Sequence, residues 1–166
     1  ASISENWCQW REDCERCEEG IGDQVVKTIA IDASVVLKWY LDDESHGSEA
    51  LTLLNSFVAN EIELVAPALL EYEVISGLII AQRRGRIPEP TLADAISAFQ
   101  ALNIRMEDIS ALGLRILFYS KKYDRSAYDA AYLAVAEQVK ADFITADRAL
   151  YNAVHNDLNW VKLIQA

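Results

Sequence analysis

The sequence predicts an α/β fold in which helices cover both faces of a central parallel sheet. Three observations predict it. Short apolar runs, the mark of strands buried on both faces, alternate with stretches whose apolar residues recur at helical spacing. Two of those runs end beside an acid that also opens the next helical stretch: Ile29-Ala30-Ile31 before Asp32, and Phe143-Ile144-Thr145-Ala146 before Asp147. The chain's 166 residues, 52% of them apolar, suffice for one domain with a full core, and no internal repeat or low-complexity segment interrupts them.

Residues 1–26 stand apart as an acidic arm. They hold Trp7, Trp10, all three cysteines (Cys8, Cys14, Cys17) and no clear strand pattern. A docking arm, a loose tail and an expression remnant all fit that composition. One Cys-x-x-Cys pair without a second is a weak zinc signal. The start lacks a basic-then-apolar leader pattern, so a cytoplasmic protein is expected.

From Lys27 the pattern becomes regular, and a domain over 27–166 is expected. A short strand covers 29–31, a helix 33–41, and a solvated turn Asp42, Asp43, Glu44 and Ser45. Apolar residues at Ala50, Leu51, Leu53, Leu54, Phe57 and Val58 predict a helix over 46–60. A second strand covers 62–66, with Pro67 suited to the first position of a helix that runs to Arg84 and stops at Gly85. A helix over 91–102, a strand over 104–106 and helices over 109–121 and 127–140 follow. A strand over 143–145, a helix over 148–154 and a strand over 161–164 complete the series.

The net charge of −11 divides as −5 over residues 1–23 (seven acids, two basic residues) and −6 over the rest (19 acids, 13 basic residues). Phosphate contacts supply most non-specific affinity for nucleic acid, so this balance argues against long, sequence-blind binding. It allows an acidic site that touches few phosphates at once. No apolar run approaches the roughly 18 residues of a membrane span.

Asp32, Asp129, Asp147 and an acid of the helix after Pro67 are the candidate site. In an open α/β sheet, groups at the carboxyl ends of strands meet in one crevice. Crowded carboxylates repel, and bound Mg²⁺ or Mn²⁺ is the usual remedy. Each acid also has a structural use. Asp32 and Asp147 sit where helix N-caps belong, and Asp129 stands three residues after Ser126, as in a capping box. From Ala127 to Ala136, however, Asp129 is the only ionisable group besides Tyr128 and Tyr132, and a carboxylate in a buried helix needs a partner. On the helix after Pro67, periodicity does not separate Glu71 from Glu73; the small Ser76 and Gly77 leave a gap beside Glu73.

Gly-rich phosphate loops, dinucleotide fingerprints and the Gly-x-Ser-x-Gly elbow are all lacking. Two unrelated histidines, His46 and His155, make neither a triad nor a zinc hydrolase site. Arg83, Arg84 and Arg86 could meet substrate phosphates, although a solvated cluster at a helix C-terminus is the commoner use. Lys38 and Arg148, near Asp32 and Asp147 in sequence, are better phosphate candidates. Trp39, Tyr40, Tyr128 and Tyr132 lie near the acids, where core packing is the commoner use of aromatics.

Ile31-Asp32-Ala33-Ser34-Val35-Val36-Leu37-Lys38-Trp39 resembles the opening of PIN-domain ribonucleases, especially the VapC type of toxin. Pro67-Ala68-Leu69-Leu70-Glu71-Tyr72-Glu73-Val74 is similar to that family's second motif, whose acid precedes Val; this selects Glu73. Tyr128-Asp129-Ala130-Ala131-Tyr132-Leu133-Ala134 resembles the third motif, and Thr145-Ala146-Asp147-Arg148 the fourth. The resemblance covers residues 28–164. It implies a PIN-like three-layer α/β/α fold, Mg²⁺ or Mn²⁺ held by Asp32, Glu73, Asp129 and Asp147, an RNA substrate, a homodimer and a cognate antitoxin partner. Ser34 and Thr145 would then support a metal ligand from behind. The arm departs from the family pattern. A PIN-fold binding module without strong catalysis is the alternative, and a DNase or flap-type nuclease would carry more acids and a more basic surface.

Overall fold

The computed structural model describes residues 26–41 and 46–164. Apart from Val26, the arm expected over 1–26 lies outside the described residues, as do the three cysteines, both its tryptophans and the turn 42–45.

Five strands form one sheet: β1 (Lys27–Ile31), β2 (Ile62–Pro67), β3 (Arg105–Glu107), β4 (Asp142–Thr145) and β5 (Val161–Leu163). Their order is β3-β2-β1-β4-β5, and every pairing is parallel. Between them run α1 (Ala33–Val36), α2 (Gly47–Val58), α3 (Leu69–Arg83), α4 (Glu89–Ala101), α5 (Gly113–Tyr123), α6 (Ala127–Val139) and α7 (Arg148–Val154). The arrangement is the expected three-layer α/β/α fold. Ile29, Ile31, Leu64, Val65, Ala66 and Phe143 make the sheet centre apolar, which is why these segments read as continuous runs.

The chain winds outward from β1 through β2 to β3, then crosses back to β4 and on to β5. The strand order therefore reverses between β1 and β4, and the crevice at their carboxyl ends is where such sheets bind ligands. α6 presses on β1, β2 and β4, and its buried run from Ala130 to Ala136 lets the backbone come close to the sheet. α5 covers α6 in turn.

Several boundaries differ from the sequence expectation for identifiable reasons. Pro67 is not a helix start: it pairs with Glu107 as the last, buried residue of β2, and Ala68 caps α3. The stretch 33–41 is one α-turn followed by a short 3-10 helix, Leu37–Trp39, with the Trp39 indole donating to the Ala50 carbonyl at 2.9 Å. α5 starts four residues late because Asp108 accepts from the Ser110 amide (2.9 Å) and hydroxyl (2.5 Å), a local turn that competes with helix. α4 starts two residues early, taking Pro90 into its first turn, where a missing N–H costs nothing.

Candidate active site

Asp32 leaves the end of β1 and caps α1, accepting from the Val35 amide at 3.2 Å. Two hydroxyls also donate to it: Ser34 to Oδ1 at 2.5 Å and Thr145 to Oδ2 at 2.5 Å. Only 6% of Asp32 remains exposed. Burial pushes its pKa up to about 6; the Asp147 charge adds to the rise, while the Ser34, Thr145 and Val35 hydrogen bonds oppose it.

The same two hydroxyls lace β1 to β4. The Asp147 amide donates to Thr145 Oγ1 (2.9 Å), and the Ala146 amide donates to Ser34 Oγ (2.8 Å). Each hydroxyl thus spends its proton on Asp32 and its lone pair on the turn after β4. Asp147 caps α7, with Oδ1 accepting from Ala149 (2.7 Å) and Leu150 (3.0 Å). Both acids are therefore helix caps at the carboxyl ends of their strands, and the Asp147 charge acts on Asp32.

α3 and α6 bring the other pair. Glu73 is half-buried and accepts from the Tyr132 hydroxyl, whereas Glu71 is exposed. Burial raises the Glu73 pKa, the Asp129 charge raises it further, and the Tyr132 hydrogen bond opposes both. Asp129 and Tyr132 lie three residues apart on α6, so they share a face. The Ser126 hydroxyl accepts from the Asp129 amide at 3.1 Å, as a helix cap requires, and this leaves the Asp129 carboxylate outside the capping contact.

Tyr132, for which sequence reasoning favoured core packing, also serves the acids. Its phenol pKa is pushed up by burial first, then by its bond to Glu73 and the charges of Glu73 and Asp32. Its ring stacks on Phe143 of β4, with centroids 6.0 Å apart. It therefore stands between the two acid pairs. Its i,i+3 spacing from Asp129 was the available signal. The room inferred beside Glu73 has another owner: a Cβ on Gly77 would come within 2.6 Å of Leu37 Cδ1, so Gly77 admits Leu37 rather than a ligand.

The PIN domain family model matches residues 29–156. This chain belongs to the PIN-domain family. Ribonuclease VapC9 of Mycobacterium tuberculosis is 30% identical over 122 residues, which cover 74% of this chain and 87% of that protein. Ribonuclease VapC3 of Pyrobaculum aerophilum is 27% identical over 131 residues, 74% of this chain and 91% of that one. Among solved structures, M. tuberculosis VapC20, described as a sarcin–ricin loop cleaving toxin, has TM-score 0.56 at 16% identity, covering 76% and 95% of the two chains. PAE2754 from P. aerophilum has TM-score 0.57 at 17% identity, covering 83% and 91%. These two structures bear on the fold; the curated relatives identify a PIN domain of the VapC type.

In this PIN domain the carboxylates fall into two neighbouring pairs, Asp32 with Asp147 and Glu73 with Asp129, each pair coupled by like charge. Among the described residues, no three His, Cys, Asp or Glu side chains stand together as a ready metal cluster. The donor chemistry nonetheless fits a hard divalent cation: all four residues offer carboxylate oxygens, and Asp32 and Glu73 are held protonation-prone by burial and a neighbouring charge that a cation would offset. Lys38 is buried beside Ser34, and Arg148 is exposed on the first turn of α7. No helix among the described residues is long and apolar enough to cross a membrane.

Proposed function

We propose that this PIN domain is a Mg²⁺- or Mn²⁺-dependent endoribonuclease that hydrolyses RNA phosphodiester bonds as the cytoplasmic toxin of a toxin–antitoxin pair, acting as a homodimer. The observation that carries the chemistry is the pairing of two proton-favouring carboxylates, buried Asp32 and half-buried Glu73, each with a second acid beside it. The VapC ribonucleases among its relatives support the choice of RNA.

Asp32, Glu73, Asp129 and Asp147 would hold the cation. When bound, such an ion lowers the pKa of a water and stabilises charge developing on the phosphate. The remaining work falls to the chain. Ser34 and Thr145 fix the Asp32 carboxylate through both oxygens, so its orientation is set before substrate arrives. Tyr132 holds one oxygen of Glu73 and opposes the rise in its pKa that burial causes. Arg148 and Lys38 are the cations proposed to meet the RNA backbone. With water as nucleophile rather than the 2′-hydroxyl, the products carry a 5′-phosphate and a 3′-hydroxyl.

The test is cleavage of single-stranded RNA by the full chain with Mg²⁺, with Mn²⁺ and with EDTA, together with end-group analysis. Cleavage only with a divalent ion, 5′-phosphate products, and loss of activity in Asp129→Asn without loss of thermal stability support the proposal. Cleavage in EDTA, or 2′,3′-cyclic ends, would refute it. The second reading is a PIN-fold module that binds RNA or protein without cutting. The spread of the four acids into two pairs favours it, and the absence of any cleavage by a folded, RNA-binding chain would select it.

A further inference from the structure

We infer that the chain's own acidic arm docks on the outer face of α5, as a helix that sets Trp7, Trp10, Cys14 and Cys17 against Leu114, Leu117 and Phe118. Helix α5 is apolar on two sides. Ile116, Tyr119 and Tyr123 pack inward on the core. On the outward side Leu114 is 85% exposed, Leu117 48% and Phe118 47%. Their i, i+3, i+4 spacing puts them on one stripe. With Lys121 and Lys122 they line a single depression of about 450 Å³. A contiguous apolar surface of that kind marks a contact, whereas scattered single residues do not.

The sequence beyond the described residues selects the occupant. Three stretches lie there: 1–25, 42–45 and 165–166. The last two read Asp-Asp-Glu-Ser and Gln-Ala and offer no large apolar side chain. The arm offers an ordered set. Ile3, Trp7, Trp10, Cys14 and Cys17 follow one another at steps of four, three, four and three, the spacing that lines one side of a helix. Gly20 and Gly22 then supply a stop. From Trp7 to Cys17 such a seam is about 15 Å long, which matches the roughly 16 Å of α5 with its 11 residues.

Attachment and charge point to the same place. The arm joins the domain at β1, where Lys27 pairs with Asp142 at 2.8 Å. Asp142 opens β4 directly after α6, and Glu137, near the end of α6, pairs with Arg115 in the first turn of α5. The arm therefore enters at the end of the molecule where α5 begins. Residues 20–26 reach about 20 Å when extended, and α6, the helix between, is about 10 Å across. Helix α5 carries Arg115, Lys121 and Lys122 and no acid. Arg115 and Lys122 are paired with Glu137 and Asp157, so apolar contact supplies the affinity and charge only steers the choice of partner. A second copy's α5 would set cations against cations, whereas the arm, at −5 over residues 1–23, brings acids.

The test is thiol labelling of the fully reduced full chain in EDTA, read site by site by mass spectrometry, with each rate taken relative to the same site in urea. All three cysteines lie in the arm, and Cys8, one step from Trp7, falls on the side of a helix opposite the seam. Cys14 and Cys17 should react at least about tenfold more slowly than Cys8, since burying one large apolar side chain shifts an opening equilibrium by about that factor. Leu117→Glu with Phe118→Glu should bring the three sites to one relative rate, and Leu51→Gln, at an exposed apolar residue of α2, should change nothing. Equal rates in the native wild type overturn the inference. Protection that survives in a folded glutamate variant places the arm elsewhere and overturns it too. Leu114→Cys keeps the question open to an answer if the glutamate variant fails to fold, because that side chain is almost wholly in solvent. A short bis-maleimide should then join the new thiol to Cys14 or Cys17 in a product of monomer mass. Links to Cys8 alone, no link, or a product of dimer mass would each refute docking of the arm on its own α5.

Discussion

Asp32→Asn is the perturbation whose effect the structure specifies most closely. The folded chain holds the Asp32 proton with a pKa of about 6 against an ordinary 3.8. At about 1.4 kcal/mol per pH unit, the buried charge opposes folding by about 3 kcal/mol once both states are ionised. The sign follows from the proton count: between pH 4 and 6 the folded state binds more protons than the unfolded one, so stability falls as pH rises through that window and stays reduced above it. Roughly half of the loss is in place at pH 5, which leaves about 1.5 kcal/mol between pH 5 and pH 8. Asparagine carries no charge and lacks this slope. It also loses an acceptor for the Thr145 hydroxyl, at a cost of about 1 kcal/mol. Relative to wild type, Asp32→Asn should therefore gain about 1.5 kcal/mol on going from pH 5 to pH 8. At about 2–4 °C per kcal/mol for a domain of this size, that is about 3–6 °C. Thermal unfolding of both proteins in EDTA at the two pH values measures it. A gap that does not widen with pH, or a variant about 2 kcal/mol less stable at both, would mean that the carboxylate is a structural cap and not a repelled charge.

Tyr132→Phe removes the hydrogen bond that holds the Glu73 pKa down. Glu73 should then ionise at higher pH, and the acid limb of the pH–cleavage profile should move upward; an unmoved limb separates Glu73 from the chemistry. Deleting residues 1–26, which carry none of the four acids, should leave RNA cleavage unchanged at low and at high salt. Faster cleavage, most of all at low salt where exposed charge acts farthest, would show that the acidic arm opposes RNA.

The sheet and the placing of three acids were legible because their causes are local. A strand buried on both faces must be an apolar run, and an acid that follows it both caps the next helix and enters the crevice. Asp32 and Asp147 meet both conditions, and Asp129 betrays itself as the one carboxylate between Ala127 and Ala136, the apolar part of α6. Glu73 was not legible from periodicity, since α3 is apolar on more than one side: Val74 and Leu78 are buried while Ile75 and Ile79 are half-buried. What distinguishes Glu73 from Glu71 is the Tyr132 hydroxyl, 59 residues away. Pro67 misled for a related reason. A proline suits the start of a helix and the end of a strand alike, and only the pairing with β3 decides between them.

The acidic balance of the chain and a ribonuclease assignment pull against each other until the cations are placed. Lys27, Arg105, Arg115 and Lys122 each sit in an ion pair with an acid of the same domain: Asp142, Glu63 and Glu107, Glu137, and Asp157. Such pairs contribute little stability at an exposed surface, but they cancel much of the field that an approaching polyanion would feel beyond about 10 Å at 0.1 M salt. Arg148 lies elsewhere: it is exposed on the first turn of α7, one residue after Asp147. With Arg148 and Lys38 as the cations proposed to meet the RNA backbone, attraction for RNA counts about two phosphates. With two such contacts the salt dependence of RNA affinity should be shallow, with a slope of about −1.4. A much steeper slope would mean that further cations of the domain meet phosphate.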